Sequence, residues 1–338
     1  MNKEILKKFF GENFQEQEKR YESYNFIENF LSKHFLDYEK NKDTEKVANL
    51  FLKELNKFSK IEIAFLVIHI GYIPDYYEHD SSIETLHTKL TETIIFHWAK
   101  LIGFSESELP TQKSSYEDIT ISNGKNIIVC DAKSFRLGRS QKSPNVKDTI
   151  KLADYEKWLN KHGNKGIGGL ITFPSLHDWK KGSDVYLYVS DPKKKVVLLF
   201  YEYISFFLIS DYKSESLIEL INNYPKLFKE KSNDRTNYWK KIIESLFKSN
   251  LKKFREFNQL AKLINQENVI YKKKLLEKNI EKAKNEVKSL FKKYKLIEKL
   301  VDEITDTDSK ISDNLFNNVK RIKHCKITID RITKFRIK

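Results

Sequence analysis

Residues 118–133 read DITISNGKNIIVCDAK, and this stretch decides the fold because the apolar pattern here changes from helical spacing to alternation. Two β-type runs, 118–122 and 125–133, flank Asn123-Gly124, a pair that accepts the positive backbone angles of a tight hairpin turn. A two-residue turn would pair Ser122 with Lys125, place Asp118 opposite Val129 and leave Asp131 as its diagonal neighbour. Successive side chains on a strand point to opposite faces. Asp118, Asp131 and Lys133 therefore share one face, and Ile128, Cys130 and Ala132 line the other.

Two carboxylates within reach of each other repel unless a cation sits between them. Mg²⁺ suits that place, since it takes one or two carboxylates and fills its remaining positions with water and phosphate oxygens. A lysine alongside can orient or deprotonate an attacking water, so the set fits metal-assisted phosphodiester hydrolysis. An acid-x-lysine spacing is common by chance in a chain this rich in both, and an ordinary charged strand face is the plain alternative.

Working outward, the preceding ~110 residues read as helical. Val47, Phe51, Leu55 and Phe58 share one face, 61–69 is apolar and stops at Gly71 and Pro74, and a helix runs from about Ser82 to Ile102. Downstream, 149–162 reads as a helix, and 167–173, 184–189 and 195–201 read as strands. Helix, hairpin, helix and further strands describe an α/β fold with a central mixed sheet flanked by helices. Gly166-Ile167-Gly168-Gly169 reads as a turn, since it lacks the helix and Lys-Ser/Thr of a phosphate loop. From about Ser214 the chain is helical and lysine-rich. Leu276, Ile280, Ala283, Val287, Leu290, Tyr294, Ile297, Val301 and Ile304 form a heptad seam, which either packs within its own domain or joins a dimer. The organisation expected is 1–110 helical and packed on the core, 111–212 the α/β core, and 213–338 a helical C-terminal region.

The chain has 62 Lys+Arg against 47 Asp+Glu, a net charge of +15, which favours a polyanionic partner. With 54 lysines and many Asn, Ile and Phe, part of that excess follows an AT-rich coding bias. Two cysteines, Cys130 and Cys325, make neither a disulfide framework nor a zinc cluster. His69, His79, His162 and His177 lack metal-ligand spacing. Residues 1–14 have no apolar signal region, and 61–73 is too short to span a bilayer, so a cytoplasmic (bacterial) protein is expected.

The stretch 119–139, ending CDAKSFRLGR, resembles the active-site hairpin of PD-(D/E)xK nucleases. Across 131–151 the sequence is similar to the HindIII-type restriction endonucleases in particular. The resemblance extends upstream through IHIGYIPDYYEHDSSIETL and downstream through GGLITFP and VVLLFYEYISFFL, covering about residues 45–210. It implies a restriction-endonuclease-like core and Mg²⁺-dependent double-strand cleavage of DNA at a short palindrome, with AAGCTT suggested, leaving 5′-phosphates. It also implies a homodimer and a companion DNA methyltransferase with which no stable complex is expected. Asp118, Asp131 and the Ala132 carbonyl would be the metal ligands and Lys133 the catalytic lysine. Glu84 would be a further acid on a helix beside the metal, although Ser81-x-x-Glu84 is also a capping box. Glu117 stands where the family motif usually has Pro or Gly. Arginine is scarce, so Arg136 and Arg139 close to Lys133 suggest phosphate or guanine contacts, with Ser134, Lys142 and Lys147 in the same DNA-facing segment. A repair or structure-selective nuclease and a catalytically silent DNA-binding protein are the alternatives.

Overall fold

The hairpin forms, but its loop is longer than two residues. In the computed structural model, which describes residues 1–74, 76–110, 116–136, 146–174, 179–298, 313, 316–327 and 329, strands β2 (Ile119–Ser122) and β3 (Ile127–Ala132) are antiparallel. Ser122 pairs with Ile127 rather than Lys125, and Ile119 pairs with Cys130. Asn123 closes a four-residue loop: its side-chain oxygen accepts from the backbone N–H of Lys125 (3.2 Å) and Asn126 (2.8 Å). Gly124 takes the left-handed conformation at φ +83°. The register has slipped by two residues, an even number, so every side chain keeps the face expected of it. Asp118 now stands in line with Asp131 itself.

The sheet order is β2-β3-β5-β6, with β5 at Gly166–Phe173 and β6 at Val196–Phe200, both parallel to their neighbours. A mixed sheet follows from these two crossovers beside one hairpin. Gly166–Gly169 is therefore not a turn but the first half of β5. An added Cβ at Gly168 would lie 2.6 Å from the Lys195 carbonyl oxygen, and one at Gly169 would lie 2.7 Å from the Tyr155 ring, so close approach explains both glycines. A second, two-residue parallel pairing joins β1 (Tyr72–Ile73) to β4 (Phe135–Arg136), just past Lys133.

Helices cover the sheet. Before it come α1 (Lys3–Phe10), α2 (Gln17–Asn41), α3 (Thr44–Leu55), α4 (Lys60–His69) and α5 (Ser82–Leu101). Caps set their starts: Ser59 and Glu62 form a capping box on α4, and Ser81 accepts from the Glu84 N–H on α5. Between β4 and β5 lie α6 (Val146–Thr149) and α7 (Leu152–Lys161), and α7 packs on β3 and β5. The segment 184–189, expected as a strand, is helix α8 (Asp184–Val189). Its β-branched and aromatic residues mislead, because Ser183 caps it and Val185, Tyr186 and Val189 are buried with helical spacing.

After β6 come α9 (Tyr201–Ile209), α10 (Ser214–Leu227), α11 (Arg235–Phe247) and the long α12 (Leu251–Glu298). One apolar core runs from Leu6 through the sheet to Ile264. On α12, the seam residues Leu276 and Ile280 pack with Tyr72 of β1 and with Cys325, so this part of the heptad pattern is used inside the chain. No helix among the described residues is long and apolar enough to cross a membrane.

Candidate active site

Asp118, Asp131 and Lys133 converge at the open end of the hairpin. Asp118 Oδ2 accepts from the backbone N–H of Ala132 at 3.0 Å, which ties the start of β2 to the end of β3. The Asp118 carboxyl lies close enough to that of Asp131 to feel its charge. Lys133 Nζ lies 2.7 Å from Asp131 Oδ2, and the phenol of Tyr155 on α7 donates to that same oxygen at 2.8 Å. The Lys133 backbone is held as well: its N–H donates to the Thr172 carbonyl at 2.8 Å, and its own carbonyl accepts from Tyr201 at 2.7 Å.

Burial, followed by the charges of Asp131 and Glu92, pushes the Asp118 carboxyl well above the ordinary carboxylate range. Lys133 is drawn down by burial, but Asp131, Asp118 and Glu92 outweigh this and hold its pKa above normal, so it is an ammonium. Burial and the neighbouring Asp131 push the Tyr155 phenol up, which keeps it a donor. Two neighbouring carboxyls, with Asp118 pushed up in part by the charge of Asp131, fit a divalent cation. Asp118 and Asp131 are oxygen donors of the kind Mg²⁺ takes, so the residues present are chemically compatible with that ion.

Glu84 lies elsewhere. Its two oxygens receive Arg136 Nε (2.9 Å) and Nη2 (2.7 Å), and Oε2 also accepts from the Asp80 N–H. The helical acid whose charge reaches Asp118 and Lys133 is Glu92, eight residues further along α5 or roughly 12 Å along its axis. Glu92 is nearly buried and paired with Lys89 at 2.8 Å. The sequence carried a signal for it, an acid between Thr91 and Thr93 on a stretch of α5 that is otherwise buried. His79 and Asp80 gather around Glu84 at the surface, but Arg136 already occupies that carboxylate.

Among the residues expected to meet DNA, Arg136 points inward, adding a 2.7 Å bond to the Tyr77 carbonyl to its fork on Glu84. The Ser134 hydroxyl is buried with no hydrogen-bond partner among the described residues. Arg139 and Lys142 lie outside the described residues. Lys147 is on α6, with its side chain likewise outside them.

The profile of the HindIII restriction endonucleases matches residues 34–302, four-fifths of the chain and the whole hairpin. The chain belongs to the HindIII restriction endonuclease family. It is also similar to the type II restriction enzyme HindIII of Haemophilus influenzae, 25% identical over 289 residues that span 84% of this chain and 92% of that protein. Membership makes it a type II restriction endonuclease, a site-specific deoxyribonuclease that takes DNA as its substrate.

Proposed function

We propose that the hairpin is the catalytic centre for Mg²⁺-dependent double-strand cleavage of DNA at a short palindrome, as in PD-(D/E)xK nucleases, leaving 5′-phosphates. The observation that carries this reading is the meeting of Asp118, Asp131 and Lys133, with Lys133 Nζ 2.7 Å from Asp131. In it, Asp118, Asp131 and the Ala132 carbonyl hold Mg²⁺, which supplies Lewis-acid stabilisation of the charge developing on the scissile phosphate. Lys133, as an ammonium fixed through its backbone by Thr172 and Tyr201, orients the attacking water and offers positive charge to the phosphate. The Ala132 N–H keeps Asp118 turned toward Asp131. The family resemblance supports AAGCTT as the sequence cut, a homodimer as the cutting unit and a companion methyltransferase acting on the same site. Supercoiled plasmid digested with Mg²⁺ should give discrete bands whose ends map to that hexanucleotide; a smear, or nicking without linearisation, rejects the reading.

Glu92 takes the role first expected of Glu84, an acid on the helix beside the metal carboxylates, in this reading. Glu92→Gln should lower cleavage by roughly 10–100-fold, the size typical of groups that tune metal ligands. Glu84→Gln should act chiefly on the Arg136 anchor and on thermal stability. Single-turnover cleavage by the two variants checks this, and equal losses would return Glu84 to the site.

A further inference from the structure

Helix α7 touches the catalytic hairpin at two points. Tyr155, in its first half and almost fully buried, donates to Asp131 Oδ2 at 2.8 Å. His162, which ends the helix, hydrogen-bonds Glu117 Oε1 at 2.7 Å, the same oxygen that accepts from Thr120 Oγ1. Glu117 immediately precedes Asp118. One short rigid element is thus tied to the Asp131 carboxylate on β3 and to the residue next to Asp118 before β2.

The sheet is shaped to admit the first of these ties. A Cβ on Gly169 of β5 would come within 2.7 Å of Tyr155 Cδ1, so the strand presents bare backbone where the ring lies. Trp158, one turn further along, packs edge-on against the ring at 5.0 Å. The phenol is therefore fixed by packing before it meets the carboxylate. Tyr155 and Lys133 both meet Oδ2, so the Asp131 carboxylate is held at that oxygen from two sides.

We propose that Tyr155 is a positioning residue of this nuclease, orienting the Asp131 carboxylate for the divalent cation, with α7 as the brace that carries it. Outer partners of this kind fix the rotamer of a ligand and typically change metal affinity by about 10–100-fold. The proposal rests on the reading of Asp131 as a metal ligand.

Tyr155→Phe keeps the ring and removes only the hydroxyl. Its binding of Mn²⁺ alone, followed by the electron paramagnetic resonance of the free ion without DNA, should be weaker by roughly 10–100-fold. The Mg²⁺ concentration for half-maximal cleavage should rise by a similar factor, while kcat at saturating Mg²⁺ stays within a few-fold of the unaltered enzyme. Mn²⁺ affinity within twofold of the unaltered enzyme overturns the proposal. Asp131→Asn in the same assay separates the two ideas. Lost Mn²⁺ binding there, with normal binding in Tyr155→Phe, rejects only the positioning role; normal binding in both rejects the metal site too. Should Tyr155→Phe fail to fold, Gly169→Ala, which displaces the ring, should weaken Mn²⁺ in the same direction, and unchanged affinity there counts against the proposal.

Discussion

Asp118→Asn should melt at a higher temperature than the unaltered protein in EDTA at neutral pH, while cleavage falls by on the order of 10⁴-fold or more. The two effects have one cause. Asp118 is buried against Asp131, and burial followed by that neighbour's charge raises its carboxyl well above the ordinary 3.8. A carboxyl whose folded-state pKa is raised holds its proton more tightly in the folded than in the unfolded chain. Its contribution to stability is complete below about 3.8 and is lost as the pH rises through the folded value. The amide has no proton to lose. Calorimetric melting of the two proteins should therefore converge near the unfolded carboxyl value and separate as the pH rises. Added Mg²⁺ should narrow the gap, because it stabilises the form that binds it better. An Asn variant that melts lower in EDTA at neutral pH, or one that cuts normally, is incompatible with a strained carboxylate pair at the centre of the chemistry. Conflict between stability and activity is what a site built to bind a cation should display.

Much of this site was legible in the sequence because alternation is robust. The Asn123-Gly124 signal gave the wrong loop length, since the Asn123 side chain can close a four-residue loop as well as start a two-residue one. The error was even, so Asp118, Asp131 and Lys133 stayed on one face. An odd slip would have dispersed them. The strand reading of 184–189 failed where propensity opposed a cap and tertiary packing, and propensity is the weaker influence. Gly168 and Gly169 looked like a turn because a sequence does not show which ring or carbonyl a strand must admit. Glu84 and Glu92 lie on one helix, and spacing alone cannot say which turn of it reaches the hairpin. Tyr155 was invisible for the same reason: its partner is 24 residues away, and only the packing of α7 on the sheet joins them.

Lys133→Ala should show the reverse pattern in the metal-free protein, destabilisation together with loss of cleavage. Among the described residues Lys133 Nζ is the cation paired with Asp131, at 2.7 Å, and its removal leaves Asp131 and Asp118 together without it. Deleting one partner of a fully buried ion pair costs about 3–5 kcal/mol. The Lys133 side chain keeps 28% of its exposure, so solvent screening lowers the expected loss to about 1–3 kcal/mol. Mg²⁺ should restore the melting temperature, because a divalent cation replaces the missing charge between the acids. It should not restore cutting, which is expected to stay roughly 10²–10⁴-fold down, the range for a positioned group that acts on the attacking water. DNA binding in Ca²⁺ should persist, since the carboxylates that hold the ion remain. Stability rescued without activity would separate two tasks of one side chain, neutralising Asp131 in the resting protein and acting on the phosphate during the reaction. Normal cleavage by Lys133→Ala would take the lysine out of the chemistry. An unchanged metal-free melting temperature would mean that its pairing with Asp131 stabilises nothing.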